Sequence, residues 1–223
     1  MTERRLPFAE GADRLGLLFR LPFQEGHRQV LVVDDRTSCN GITFADSALD
    51  VVRAAAVDLP QVDASFDVLA LPDCLTVPVA ARDVAALHKL LDQAGHLLRP
   101  GGVVVGHCIH MSALRNWRRW LIPAGAVGNW RVGLRFGTAK RLANTLRQHG
   151  LVGAEVFYVE PGIEAPMVLI PSEPNAARAH FVRSVQRNRP LYSPLGYAVR
   201  LALAKTGWAG LLQSDLFFWA YKS

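Results

Sequence analysis

Two short polar clusters hold the side chains of this sequence that are best suited to chemistry. One is Asp73, followed by Cys74, and the other is the segment GHCIH, which contains His107 and His110. Histidine titrates near neutral pH and can take a proton from a hydroxyl or amine, while a carboxylate can position a substrate. The same side chains bind metals such as Zn²⁺. Three interpretations stay open here: a polar site that lines a crevice, a metal site, and histidines with a structural role.

The elements around these clusters predict that both reach one edge of a sheet. Apolar runs at 29–33 (QVLVV), 66–71 (FDVLAL) and 103–105 (VVV) predict buried strands, and apolar residues at helical spacing predict a helix over 80–98. Short buried strands that alternate with helices are typical of an α/β protein with a mostly parallel, covered sheet. Ligands bind beyond the carboxyl ends of such strands, where Asp73 and GHCIH follow two of the runs.

The remaining pattern predicts a single domain over 1–223 with an antiparallel edge. The segment 49–57 fits either a strand or a short helix. The further predicted elements are helices over 138–148, 174–189 and 194–205, and strands over 155–159, 167–170 and 216–221. Three subregions are expected within the domain: an N-terminal extension (1–28), a basic aromatic insertion that forms a lid (111–137), and C-terminal helices with a closing strand (174–223).

Positive charge is concentrated in one stretch. Between Asp92 and Glu155 there is no acidic residue, whereas nine are basic. Inside it, arginine and tryptophan interleave over 111–137, which suits a small or amphiphilic anionic substrate or a membrane surface. The candidate substrate-binding residues are Arg115, Trp117, Arg118, Arg119, Trp130 and Arg131. A helix with tryptophan in the core and arginine outside is the structural alternative. Nucleic acid fits less well, because no evident nucleic-acid-binding fold arrays these bases.

Two motifs between Ala64 and Gly106 stand in a characteristic order. FDV (66–68) opens a predicted strand, and LRPGG (98–102) follows the next helix and precedes the next strand. This combination resembles the class I S-adenosylmethionine-dependent methyltransferases. The resemblance implies a Rossmann-like, mostly parallel sheet with an antiparallel C-terminal edge, and it implies S-adenosylmethionine as the cofactor.

The expected cofactor turn departs from the family's pattern. The family's first strand normally enters a turn, G-x-G-x-G, whose glycines let the backbone approach the cofactor. Here QVLVV enters Asp34 and Asp35, the next glycine is Gly41, and Ala55 replaces an acid expected near the adenine. Either QVLVV is the first strand and one βα unit is lost, or it is the second strand and Asp34 or Asp35 holds the ribose hydroxyls. Both alternatives imply a reduced N-terminal half, with Asp34, Asp35, Gly41 and Asp73 as candidate cofactor-binding residues.

Functions from different classes fit these observations. The first is a methyltransferase in which His107 or His110 acts as base and Asp73 positions the substrate. The second is a non-catalytic relative, a pseudoenzyme that has lost the cofactor and serves as a partner subunit, a homodimer or a binding module. A third is an enzyme that has been repurposed around the GHCIH crevice.

Composition excludes several other classes. Half of the residues are apolar and 20% are charged, which excludes a disordered tail protein. Three cysteines are too few for a disulfide scaffold and favour reduced thiols, which predicts a cytoplasmic protein. A cytoplasmic protein that also contacts a membrane surface is the alternative. We expect neither a transmembrane helix nor a signal peptide, because no apolar run has the required length and the N-terminal MTERRLPFAEGADRL has no apolar core.

Overall fold

A mixed β-sheet runs through the computed structural model of the chain, which describes residues 4–5, 14–33, 44, 48–55, 59, 64–72, 84–109, 139–160, 166–208, 210, 213 and 215–223. The strands are β1 (Arg4–Arg5), β2 (Gln29–Val33), β3 (Asp50–Ala54), β4 (Phe66–Leu71), β5 (Leu98–Ile109), β6 (Leu151–Glu160), β7 (Val168–Pro171) and β8 (Asp215–Lys222). The helices are α1 (Arg14–Arg20), α2 (Val84–Leu97), α3 (Ala139–Gln148), α4 (Pro174–Arg187) and α5 (Pro194–Lys205), with a 3₁₀ helix at Arg189–Leu191. Within these residues the strand order is β1–β7–β6–β8–β5–β4–β2–β3.

The half of the sheet formed by β3, β2, β4 and β5 is parallel. Residues 30–33 and 68–71 are completely buried, which explains why β2 and β4 are continuous apolar runs rather than alternating ones. β2 lies between β3 and β4, so the chain moves from β2 to one side and then crosses to the other. In a doubly wound sheet this is the position of the first strand, and the gap between β2 and β4 is the topological switch point.

This strand order helps to decide whether QVLVV is the first or the second strand of the family's sheet. Because β2 occupies the position of the first strand, the order favours the alternative in which one βα unit has been lost. In sequence between β2 and β4, the described residues contain one strand, β3, at Asp50–Ala54. The undecided segment 49–57 therefore contains a strand, and the bounds predicted for β2, β4 and α5 are those of the structure.

The other half of the sheet is antiparallel, as predicted. β8 runs antiparallel to both of its neighbours, β5 and β6, and β7 runs antiparallel to β6. Residues 216–220 of β8 are buried, so this strand passes through the middle of the sheet rather than along its edge. Among the described strands, six of the eight nevertheless point in the same direction, because only β7 and β8 are reversed. The prediction of a mostly parallel α/β sheet with an antiparallel C-terminal edge is confirmed.

β5 is longer than the three residues predicted for it. It begins at Leu98, directly after α2, and its register against β4 shifts between Phe66 and Val68. The LRPGG motif therefore ends the helix, as predicted, and also forms the first residues of the strand. Gly101 has a φ of 78°, a left-handed conformation that glycine adopts without strain.

Helices cover both faces of the sheet. α2 and α3 pack on one face, where they contribute Leu90, Leu91, Leu142 and Leu146 to the larger core. α1 packs on the other face, and the ring of Phe19 lies edge-on to Phe217 with 5.4 Å between centroids. α4 and α5 pack together beside β7 around a smaller core. None of the described helices is both long and apolar enough to cross a membrane.

Candidate functional site

The carboxyl edge of β2, β4 and β5 is where the sequence places the candidate residues. Asp34 follows the last residue of β2, Asp73 lies two residues after β4, and His110 follows the last residue of β5. β4 and β5 are parallel neighbours with Leu71 opposite Gly106, so the segments that follow the two strands leave the sheet at the same edge. Apart from His107, the predicted site residues lie outside the described residues. They are Asp34, Asp35, Gly41, Asp73, His110, Arg115, Trp117, Arg118, Arg119, Trp130 and Arg131.

His107 is a buried polar residue at this edge. Its side chain is 6% exposed, and it lies on the same face of the sheet as Val103 and Val105 because side chains alternate along a strand. Its Nδ1 lies 3.2 Å from the carbonyl oxygen of Pro72, and its Nε2 lies 3.2 Å from Oδ1 of Asp215. The ring is therefore fixed between the residue that follows β4 and the first residue of β8.

Both oxygens that face His107 are hydrogen-bond acceptors. A neutral imidazole carries one N–H and donates to only one of them, whereas the imidazolium form donates to both. The Asp215 carboxylate, whose side chain is 17% exposed, supplies the negative charge that stabilises the second N–H. This arrangement suits an imidazole that is held in one orientation. To abstract a proton, the unprotonated ring nitrogen would have to turn away from the oxygen acceptor that it faces.

Asp215 is the site residue that sequence reasoning missed. It is 108 positions away from His107, and no motif in the sequence connects the two. The available signal was topological. If β8 pairs antiparallel with β5, the start of β8 lies against the end of β5, and Asp215 is indeed opposite Ile109. The sequence predicts a closing strand but does not identify its neighbour, so the proximity of Asp215 to His107 could not be predicted.

Cys108 does not share a crevice with His107. It is next to His107 on a strand, so its side chain enters the opposite core, beside α2 and α3, where it is completely buried. Burial, reinforced by the charge of Asp215, raises the pKa of the Cys108 thiol to about 12. Cys108 is therefore not part of a crevice at the GHCIH segment, and it packs as a small buried apolar residue. Cys74 lies outside the described residues.

The motifs that carry the family resemblance meet at the opposite, amino edge. Asp67 of FDV accepts hydrogen bonds from the backbone N–H groups of Arg28 and Gln29 at 2.9 and 3.0 Å. Arg99 of LRPGG donates to Asp67 at 3.2 Å, to the Gln29 side chain at 2.8 Å and to the Ala64 carbonyl at 3.4 Å. These bonds join the starts of β2, β4 and β5, so both charged residues have a structural role.

The electrostatics of the amino edge follow from these contacts. Burial alone would raise the pKa of Asp67. The N–H groups of Gln29 and Arg28, together with the charges of Arg99 and His27, outweigh burial and lower it. Burial lowers the pKa of His27, and the nearby Asp67 offsets this only in part. The Nδ1 of His27 also accepts the backbone N–H of Gln24 at 3.3 Å, a bond that only the neutral ring can make.

A second chain of polar side chains lies on the helical side of the molecule. His88 Nδ1 and His149 Nε2 are 2.6 Å apart, and His149 Nδ1 lies 2.6 Å from Oδ1 of Asp92. The contacts link α2 to the turn after α3. The Asp92 side chain is 64% exposed whereas that of His149 is 8% exposed, so the carboxylate of this pair is solvated and the ring is not. Among the residues that the structure describes, no group of three or more His, Cys, Asp or Glu side chains is arranged to hold a metal ion.

The fold is that of the class I S-adenosylmethionine-dependent methyltransferases, as solved structures show. A Thermotoga maritima S-adenosylmethionine-dependent methyltransferase is 12% identical and has a TM-score of 0.50, over 94% of this chain and 87% of its own. Phosphoethanolamine N-methyltransferase 2 of Haemonchus contortus, in complex with phosphomonomethylethanolamine and S-adenosylhomocysteine, is 14% identical with a TM-score of 0.49. The match covers 95% of this chain but only 53% of that enzyme.

A further similar structure is a complex from Haloferax volcanii. Its methyltransferase-fold chain is bound to the Trm112 methyltransferase activator and matches with 14% identity and a TM-score of 0.45, over 92% of this chain and 86% of its own. No protein-family model matches the sequence, and no curated protein matches it either. At 12% identity, the likeness to the Thermotoga maritima structure defines the fold and not the substrate.

Proposed function

We propose that this chain binds S-adenosylmethionine at the carboxyl edge of β2 and β4 and methylates a small or amphiphilic anionic substrate. The observation that carries the proposal is the position of β2. Its carboxyl end lies at the topological switch point, which is the ligand-binding position of a doubly wound sheet. The chain continues from that end into Asp34 and Asp35, and from the end of β4 into Asp73.

The carboxylates that follow the strands at this edge fit the polar part of the cofactor. Carboxylates accept hydrogen bonds from ribose hydroxyls and attract an amino group, so Asp34, Asp35 and Asp73 are the residues proposed to hold it. Gly41 is the nearest glycine after β2 and is proposed to let the backbone approach the cofactor. When bound, S-adenosylmethionine supplies an electrophilic methyl group.

We assign to a histidine of GHCIH the role of the base that takes up the proton of the methyl acceptor. Of the two candidates, His110 is the better base, because both ring nitrogens of His107 face oxygen acceptors at 3.2 Å. His107 then acts as a positioning residue that ties the end of β5 to Pro72 and Asp215. Asp73 is proposed to orient the methyl acceptor, since it follows β4 at the same edge.

The anionic substrate is assigned to the insertion over 111–137. Arginine forms bidentate contacts with phosphate or carboxylate, and tryptophan covers the apolar part of an amphiphile. No acidic residue lies between Asp92 and Glu155. This supports the assignment, because the stretch presents no negative charge that would repel an anion. The proposed contacts are Arg115, Trp117, Arg118, Arg119, Trp130 and Arg131.

Calorimetry with S-adenosylhomocysteine tests the cofactor assignment. We expect one site, a stabilisation of roughly 2.7 kcal/mol at a hundred times the dissociation constant, and about tenfold weaker binding in Asp34→Asn or Asp35→Asn. Asp50→Asn is the matched control, because Asp50 is an exposed aspartate at the amino end of β3, on the other edge of the sheet. It should bind like the wild type. A folded wild type that gives no heat would overturn the proposal.

A non-catalytic binding module is the second candidate, and a specific observation favours it. Ala55 directly follows β3, which is parallel and adjacent to β2. The family resemblance predicts an acid at this position near the adenine, and alanine provides no hydrogen bond there. Ala55→Asp separates the two candidates. A gain in S-adenosylhomocysteine affinity supports a working cofactor site, whereas no binding by either protein supports a module that functions through a protein partner.

A further inference from the structure

Four large apolar side chains are exposed in the segment formed by the 3₁₀ helix, α5 and the turn that follows α5. Leu191 is 78% exposed, Leu195 76%, Val199 51% and Trp208 62%. These four are half of the eight large apolar side chains that are exposed among the described residues, yet they fall within 18 consecutive positions. Single exposed apolar residues need no explanation, but four of them within one short segment do. We call this group the α5 stripe.

The stripe is the outer face of a helix whose inner face is already used. Tyr197, Leu201 and Ala204 point inward and pack against α4 and β7. Leu195 and Val199, four residues apart, share the opposite face, and the exposed Ala198 and Ala202 continue it. A helix of an ordinary surface layer presents polar residues on that side. α5 is therefore apolar on both faces, and packing against α4 and β7 explains only the inner one.

The segment that contains the α5 stripe is rich in basic residues. From residue 174 to residue 213 the chain has no Asp or Glu and six exposed bases. The six are Arg178, Arg183, Arg187, Arg189, Arg200 and Lys205. The guanidinium of Arg200 lies 4.8 Å from the Tyr192 ring centroid, and that of Arg189 lies 5.4 Å from the Tyr197 ring centroid. These contacts hold two of the cations beside the helix that carries the stripe.

We propose that the α5 stripe docks on an anionic phospholipid membrane. An apolar helix face flanked by Lys and Arg is the arrangement that lies in a membrane interface, with tryptophan at headgroup depth and cations on the phosphates. Charge complementarity distinguishes this occupant from a second copy of the chain. A second copy would bring the same six bases and would be repelled. The proposal is independent of the proposed methyl transfer, since α5 lies beside β7 and not at the carboxyl edge of β2.

Co-sedimentation of the full chain with vesicles tests this surface. We expect binding to phosphatidylcholine vesicles that contain about a third phosphatidylglycerol, and little binding to phosphatidylcholine alone. Raising the salt from ~0.1 to ~1 M should weaken the binding, because the Debye length falls about threefold. The double variant Leu195→Glu/Val199→Glu should reduce partitioning about tenfold or more, since it removes apolar contact and adds repulsion.

The controls separate the α5 stripe from general charge or misfolding. Val152→Glu places a single glutamate at another exposed valine, which is 48% exposed on β6, and should leave vesicle binding unchanged. Arg200→Gln/Lys205→Gln should reduce the preference for phosphatidylglycerol while leaving the apolar side chains in place. Circular dichroism checks that each variant is folded, which we expect because all of these positions are exposed.

Three results would overturn the proposal. The first is a folded wild type that fails to sediment with phosphatidylglycerol vesicles at low salt. The second is vesicle binding that survives Leu195→Glu/Val199→Glu, or that Val152→Glu removes equally well. The third is a wild-type dimer, measured by light scattering, that Leu195→Glu dissociates while neither form binds vesicles. In that third case the stripe would be a contact between copies.

Discussion

The two edges of the parallel half of the sheet contain charged side chains for different reasons. At the amino edge, Asp67 and Arg99 tie three strand ends together, and every bond described for them is made to the protein itself. At the carboxyl edge, His107 is held by Pro72 and Asp215, while the chain continues past each strand into further acids and histidines. Both motifs behind the family resemblance belong to the amino edge. They therefore report the fold, and they say nothing about whether the opposite edge still binds a cofactor.

Chemical labelling gives the largest expected effect, because it contrasts two adjacent residues of the carboxyl edge. With a thiol pKa of about 12, the thiolate fraction of Cys108 near pH 8 is about a thousandfold below that of an ordinary cysteine. Iodoacetamide should therefore label Cys108 in urea but not in the folded chain, as measured by peptide mass spectrometry. Equal rates in both states would mean that the strand end is open, and that Cys108 shares the crevice of His107 after all.

Removing the charge at the amino edge should have the largest effect on stability. Asp67→Ala leaves two backbone N–H groups and the Arg99 guanidinium without their shared acceptor. We expect the free energy of unfolding to fall by about 3 kcal/mol, measured by urea denaturation, because hydrogen bonds to charged groups contribute about 1.5–3 kcal/mol each and a shared acceptor is not additive. Asp50→Ala, an exposed aspartate of β3, should change it by less than about 0.5 kcal/mol.

The His107–Asp215 pair at the carboxyl edge should contribute less to the free energy of unfolding than Asp67 does. In the variant Asp215→Asn, the side-chain amide oxygen can still accept one hydrogen bond. Asp215→Asn is expected to lower the free energy of unfolding by about 1–2 kcal/mol. Asp92→Asn tests the same chemistry at the surface, where the aspartate of the His149 pair is 64% exposed, and should cost less than about 1 kcal/mol. Comparable losses in the two variants would show that burial at the carboxyl edge adds nothing to the pair.

Acidification should destabilise the amino edge in two stages, and this is the smallest effect. A histidine with a lowered pKa takes up its proton more readily in the unfolded chain, so His27 removes stability as the pH falls below about 6.5. Asp67 also has a lowered pKa. Its stabilisation is complete above the unfolded-state value near pH 4, and is lost as the pH falls through the folded pKa. Unfolding profiles of His27→Gln and Asp67→Ala should differ from the wild-type profile in the upper and lower ranges, respectively.

Local patterning predicted the parallel half of the sheet well. Fully buried strands such as β2 and β4 are continuous apolar runs with polar flanks, so their bounds could be predicted from sequence alone. The start of β5 could not, because RPGG is a helix-stop signal and its pairing with Phe66 depends on a shifted register. Of the candidate site, His107 was found from its type and place. Asp215 was missed, since its proximity depends on which strand lies beside β5.

The place of β8 constrains the order in which this protein can fold. Although β8 follows all other strands in sequence, it lies between β5 and β6 and pairs with both. While the chain is being synthesised, β5 and β6 therefore have exposed backbone edges until residues 215–222 have left the ribosome. Unpaired strand edges are sites of aggregation, so a nascent or truncated chain without β8 should depend on chaperones far more than a chain that contains β8.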